Sequence, residues 1–170
     1  MNRYLLYKTY RLGVLIDHIK PEDVIREIDD FISRTPVEEI PHALYILSLA
    51  SSRRAMLELL TDLAKGVDEE LPSCIVVGLL HRDQAQYTTK ALYGKIGLLV
   101  SLLDNQESDL VLEFNELKEA YDKAQEAYGL RFKRKKARER MLAKNEKALK
   151  DALQNYAHYV EELERQDWGS

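Results

Sequence analysis

Asp109-Leu110-Val111-Leu112-Glu113-Phe114-Asn115-Glu116-Leu117-Lys118-Glu119-Ala120-Tyr121-Asp122-Lys123-Ala124-Gln125-Glu126-Ala127-Tyr128 is almost free of turn residues and carries an apolar beat every seven positions. With Phe114 at a, the a positions continue as Tyr121, Tyr128, Lys135, Leu142, Leu149, Tyr156 and Leu163. The d positions are Leu110, Leu117, Ala124, Arg131, Arg138, Asn145, Ala152 and Tyr159. Leu153 and Val160 widen the later stripe. This is a helix pattern on both sides of a charged break. The break is Arg131-Phe132-Lys133-Arg134-Lys135-Lys136-Ala137-Arg138, and Gly129 stands just before it. A glycine after a periodic run is the usual left-handed residue that ends a helix, and Leu130 supplies the accompanying apolar contact.

Residues 109–130 hold two Lys against six Asp or Glu, and residues 131–150 hold ten Lys or Arg against two Glu. A chain folded back at Gly129 lays an acidic helix beside a basic one, and the facing charges favour antiparallel pairing. The alternative is a single helix over 109–166, because the heptad phase carries through and one glycine costs only about 1 kcal/mol.

Working towards the N-terminus, Asp104-Asn105-Gln106-Glu107-Ser108 is the clearest hinge. It divides a bundle of short amphipathic helices (1–104) from a long helical hairpin or arm (109–166). The fold class is all-α. Residues 3–19 read as a first helix, weakened by Gly13, and Pro21 opens a second with Glu22 and Asp23 at its positive end. Thr35-Pro36-Val37-Glu38 has the letters of a capping box, and a further helix is expected from His42 to Ser51. Its Ala43-Leu44-Tyr45-Ile46-Leu47-Ser48-Leu49-Ala50 is apolar nearly all round, which marks it as the centre of the N-terminal core. Ser52 caps the next helix, closed by Gly66. Leu71–His81 is read as helix rather than strand, for want of a second strand. Residues 85–103 form another helix, with Ala91, Leu92, Ile96, Leu99, Val100 and Leu103 inward and Gly94 and Gly97 available for a close crossing.

The 170 residues are 45% apolar and 32% charged, which suits a packed core, and the net charge of −4 argues against a general polyanion binder. One cysteine, Cys74, permits no internal disulfide and fits a reducing, cytoplasmic setting. The start of the chain does not read as a secretory signal, and no apolar run is long enough to span a membrane. Catalytic motifs are missing. Glu39-Ile40-Pro41-His42 has half of a helical metal motif, but Pro41 breaks the helix that would align it. Neither metal nor cofactor is expected, nor is an enzyme. Cys74 lies among apolar neighbours and reads as an inert thiol.

Two charged features remain. In the basic run, Arg131, Arg134, Lys135, Lys136 and Arg138 could neutralise phosphates of a nucleic acid, with Phe132 as a stacking surface. Against this stands a solvated helix start paired with the acidic helix. The acidic feature comprises Asp29, Asp30, Glu38 and Glu39, usually mere helix-dipole charges, or else a face that steers a basic partner onto the protein. The Pro21-Glu22-Asp23 start, followed by Ala43 to Ser51 and a short helix, resembles small bacterial immunity proteins over residues 20–65. These are all-helical cytosolic proteins that block a cognate toxin by binding it. The resemblance implies a non-catalytic module that occludes a basic toxin domain, and it carries over no individual residue. Nucleic-acid binding through the basic run is the alternative, and homo-oligomerisation through the apolar stripe of the arm is a further expectation.

Overall fold

The computed structural model describes residues 3–126 and 132–169, apart from the side chains of 132–134. These residues form helices joined by turns and short links, with no strand among them, as the periodicity predicts. In chain order the helices are α1 (Arg3–Leu15), α2 (Pro21–Arg34), α3 (His42–Ser48), α4 (Arg53–Leu63), α5 (Glu70–Arg82), α6 (Thr89–Leu102), α7 (Asp109–Glu126), α8 (Phe132–Gln154) and α9 (Val160–Glu164). Single 3-10 turns at Val37–Glu39, Gln84–Gln86 and Ala157–Tyr159 link some of them. Two compact units result: Met1–Val76 with His158–Ser170, and Val77–Ala157. The dividing line falls inside α5, and the 104–108 link lies within the second unit.

In the first unit α1 packs on α4 and α2 on α3. Its core joins Leu6, Tyr7, Tyr10, Val14, Val24, Ile28, Phe31, Leu44, Leu47, Met56 and Leu60. Trp168, near the far end of the chain, is part of the same cluster. Helix α1 stops four residues short of the expected end. Asp17 takes a left-handed φ of 57°, while His18 and Ile19 donate back to the Gly13 carbonyl. Gly13 is there for contact: a Cβ would lie 2.4 Å from Cδ1 of Ile19. Arg53 donates to the carbonyls of Val14 and Leu15 at 2.9 and 3.1 Å, satisfying the end of α1 from α4. Ser52 accepts from the Ala55 amide, as its cap role requires. The capping box at Thr35 does not form. Thr35 is extended at the end of α2, and Pro36 and Pro41 leave room for one 3-10 turn only.

A nearly buried ion pair ties α1 to the segment before α5. Lys8 Nζ lies 2.7 Å from Glu69 Oε1, with side chains 12% and 17% exposed. Removing one partner leaves a poorly solvated charge. Lys8→Met is expected to cost about 1–2 kcal/mol in urea unfolding, a fraction of the fully buried case because some water remains. Adding Glu69→Gln should recover part of that loss. An equal or larger loss in the double variant would mean that the pair carries no coupling.

Helix α5 is the one buried all round, while the core of the first unit takes Leu44 and Leu47 from α3 as expected, but not the rest of that run. Residues 72–80 are buried without interruption. Helix α3 buries only Leu44 and Leu47 fully and leaves Ile46 44% exposed, and Leu49, its C-cap, is 81% exposed. Seven residues in two turns, resting on α2 and α4, cannot turn every side chain inward.

In the second unit α6 packs on α7, and α7 on α8. Three hydrogen bonds to α7 set the direction of the last pair: from Tyr156, just past the end of α8, to Glu113, from Asn145 to the Leu117 carbonyl, and from Arg138 to Gln125. Sequence separation shrinks along that series, so the chain doubles back as an antiparallel hairpin and not one continuous helix. Gly129, Leu130 and Arg131, where the bend was expected, lie outside the described residues. The heptad seam is inside: Leu110, Phe114, Ala124, Asn145, Leu149 and Ala152 are buried. Ala91, expected inward, is exposed on α6. Of the two glycines proposed for a close crossing, only Gly97 meets a neighbour. The Lys118 side chain of α7 lies over it, at 3.4 Å from a would-be Cβ.

The expected charge pairing rests partly on residues outside those described; where α7 and α8 are described, ion pairs between the helices do not supply it. Ion pairs of α7 and α8 run within each helix at i,i+4: Lys118–Asp122, Lys123–Glu119, Lys147–Asp151 and Lys150–Glu146. Among the described residues none crosses from one helix to the other. Apolar packing and uncharged or singly charged hydrogen bonds hold the pair together instead, and surface ion pairs are worth little in any case.

Candidate interaction surfaces

Catalytic chemistry needs convergent groups, and the described residues offer few. Among the described residues no three His, Cys, Asp or Glu lie close enough together to hold a metal ion. Glu39 and His42 sit on separate elements, a 3-10 turn and α3. Cys74 is buried on α5, and burial pushes its thiol up; the Glu70 carboxylate adds to this, and a hydrogen bond from Tyr159 offsets part of it. Tyr159 is raised in turn, chiefly by Cys74. Such a thiol is a poor nucleophile at neutral pH. Surface grooves of about 740 Å³ along Arg53, Leu57 and Thr61, and about 550 Å³ between Tyr87, Thr88 and Lys150, contain no histidine or cysteine in their linings.

The acidic face is built by α2 and the 3-10 turn that follows. Helix α2 is strongly amphipathic: Val24, Ile28 and Phe31 enter the core, which turns Glu22, Glu27, Asp29 and Asp30 outward. Two of these carboxylates are engaged. Tyr10 donates to Glu27, and Ser48 of α3 donates to Asp29. The second bond fixes α3 against α2 and places Leu49, the next residue, beside the acidic surface. Pro36 and Pro41 frame Val37-Glu38-Glu39, whose three side chains are all exposed while Ile40 anchors the segment in the core. Among the described residues no cation pairs with Asp29, Asp30, Glu38 or Glu39.

Charge was legible in this face; its apolar part was not. Val37 is 75% exposed, and Ile46 and Leu49 lie three residues apart on one side of α3. The signal lay in the run Ala43 to Ala50, which is too apolar for a helix of this length to bury.

The basic residues are scattered in their roles. Lys135 and Lys136 are exposed on α8. Arg138 is half-buried and donates to Gln125 at 2.8 Å, as a seam residue. Arg131 and the side chains of Phe132 and Arg134 lie outside the described residues. Farther along the helix, Arg140 and Lys144 are exposed and were not singled out in the sequence.

Among the described residues no helix is long and apolar enough to cross a membrane. No protein-family model matches the chain, and neither a curated protein nor a solved structure shows significant similarity to it.

Proposed function

We propose that this chain is a non-catalytic protein-binding module, with its contact surface on the outer face of α2, the Val37–Glu39 turn and α3. The observation that carries the reading is that exposed Val37 adjoins Glu38 and Glu39, and exposed Leu49 follows Ser48, which is bonded to Asp29, while no cation pairs with these carboxylates among the described residues. Large apolar side chains at the surface cost solvation, and when ringed by polar groups they mark contact sites. Unpaired carboxylates around them suit a partner whose matching surface is basic, since complementary charge speeds encounter and excludes wrong partners. Occlusion of a basic toxin domain in the cytoplasm, in the manner of the immunity proteins that residues 20–65 resemble, is the concrete form of this reading. Self-association through the arm, the further expectation from the sequence, is a separate proposal that this reading does not need.

The test compares affinity capture from the native host by the wild type, by Leu49→Asp, and by Glu38→Lys/Glu39→Lys. These positions are exposed, so each variant should keep the wild-type melting profile within about 0.5 kcal/mol. A basic protein retained by the wild type, and held about tenfold or more weakly by both variants, is the expected result. A partner that both variants hold equally well, or one with an acidic surface, would refute the assignment.

A further inference from the structure

Lys136, Arg140 and Lys144 stand at i, i+4 and i+8 on α8, all exposed, about 6 Å apart along the helix axis. Three stabilising roles are open to such charges, and none is filled. Pairing with the acidic α7 does not occur, since no ion pair joins the two helices among the described residues. The helix dipole does not favour them either: all three lie well before the last turn of α8, which ends at Gln154 and is where the dipole favours cations. Within the helix, like charges at i,i+4 repel. Glu139 is the one carboxylate between Lys135 and Asn145, and it forms no ion pair with another described residue. The next one, Glu146, is taken by Lys150 at 3.0 Å. This stripe therefore weakens the helix that carries it, which points to a use outside folding.

We infer that the outer face of α8, through Lys136, Arg140 and Lys144, is a second interaction surface, and that it binds the phosphodiester backbone of a nucleic acid. A row of separated, unpaired cations matches a row of phosphates, and binding releases the condensed counterions. Sequence readout is not expected, because Ala137 and Ala143 flank the stripe and offer no hydrogen bonds to bases. An anionic membrane fits less well. Interfacial helices place a broad apolar face of Trp, Phe or Leu beside their cations, whereas among the described residues the one large exposed apolar side chain next to this stripe is Met141, three residues before Lys144. This site is independent of the α2–α3 face and does not rest on its assignment.

The experiment is fluorescence anisotropy of the full chain with a labelled generic duplex and a labelled single strand, from about 50 to about 200 mM salt. The wild type should bind at least one of them, more weakly as salt rises. Lys136→Gln/Arg140→Gln/Lys144→Gln should weaken binding about tenfold or more at low salt, and flatten the log–log salt slope by about two to three. That variant should melt at or above the wild-type temperature, because repulsion is relieved, so unfolding cannot mimic the loss. Lys65→Gln/Lys90→Gln, at exposed lysines elsewhere, should change affinity less than about twofold. Preference for duplex or single strand supports the proposal either way and says which is the ligand. No binding at about 50 mM salt overturns it. So does equal binding by the triple variant, or binding to phosphatidylserine vesicles without binding to either oligonucleotide.

Discussion

Trp168→Ala is expected to lower the unfolding free energy by about 3–5 kcal/mol. Trp168 is 5% exposed although it is two residues from the chain end. Its ring stacks on Tyr10 at 5.2 Å and 16° and tilts against Tyr7 at 5.8 Å and 43°. Both tyrosines are on α1, and Phe31 of α2 lies close behind, 3.1 Å from a would-be Cβ at Gly169. Truncation therefore opens a cavity between the two N-terminal helices at the point where the last segment of the chain closes the first unit. Aromatic pairs add to the burial term. Circular dichroism in urea measures the loss, since the sole tryptophan is gone from the variant. Trp168→Phe should cost about 1–2 kcal/mol, keeping a ring but not its full volume. Wild-type emission should be blue-shifted and poorly quenched by acrylamide. A loss under about 1 kcal/mol for the alanine variant would show that the chain end is not part of the core.

Nothing in the periodicity marks Trp168, and that is the physical pattern of what sequence reading recovers here. Helix positions follow from local rules: Pro21 at a first turn, Ser52 as a cap, apolar residues at heptad spacing. The structure has α2, α4 and the α7–α8 hairpin where those rules put them. Burial of a lone aromatic beyond the last periodic helix is a long-range event, with no local signature. Likewise α3 and α5 are both apolar all round in sequence, and only packing decides that α5 is enclosed while α3 keeps Leu49 outside. The acidic residues of the candidate protein-binding face were readable as charges on the polar side of α2. Their apolar companions were not, because exposure of an apolar residue is a property of the fold. In the basic run the letters were visible, but the helix phase separates Arg138, which enters the seam, from Lys136, Arg140 and Lys144, which do not.

Asn145 is the clearest case of a polar letter in an apolar column, and replacing it should show what it does. It occupies a d position, is buried, and joins three helices. Tyr93 of α6 donates its hydroxyl to Asn145 Oδ1 at 2.7 Å, and Asn145 Nδ2 donates to the Leu117 carbonyl of α7 at 3.0 Å. Tyr93 in turn stacks on Tyr121 of α7 at 4.6 Å. Asn145→Leu improves the heptad by letter, yet it is expected to destabilise the protein by about 2–4 kcal/mol, since a buried hydroxyl and a carbonyl each lose a partner at about 1–3 kcal/mol. Tyr93→Phe added to it should recover at least about 1 kcal/mol, because the orphaned hydroxyl is gone. The same burial gives an alkaline signature. Desolvation, only partly offset by the Asn145 bond, pushes the Tyr93 hydroxyl from 10.0 up to about 12. A folded-state value raised above the unfolded one means that the unfolded chain loses its proton first. Stability from this group is thus complete below pH 10 and declines as pH rises towards about 12. Tyr93→Phe should flatten that decline, measured as the urea midpoint against pH. A profile identical to wild type, together with an Asn145→Leu variant as stable as the parent, would mean that the three helices find their register from apolar packing alone. A buried polar residue can instead set register at a cost in stability, as polar seam residues do in coiled coils. In that case Asn145→Leu would hold its stability while the cross-helix contacts at Glu113–Tyr156 and Gln125–Arg138 slip, which paired-cysteine crosslinking at those positions can detect.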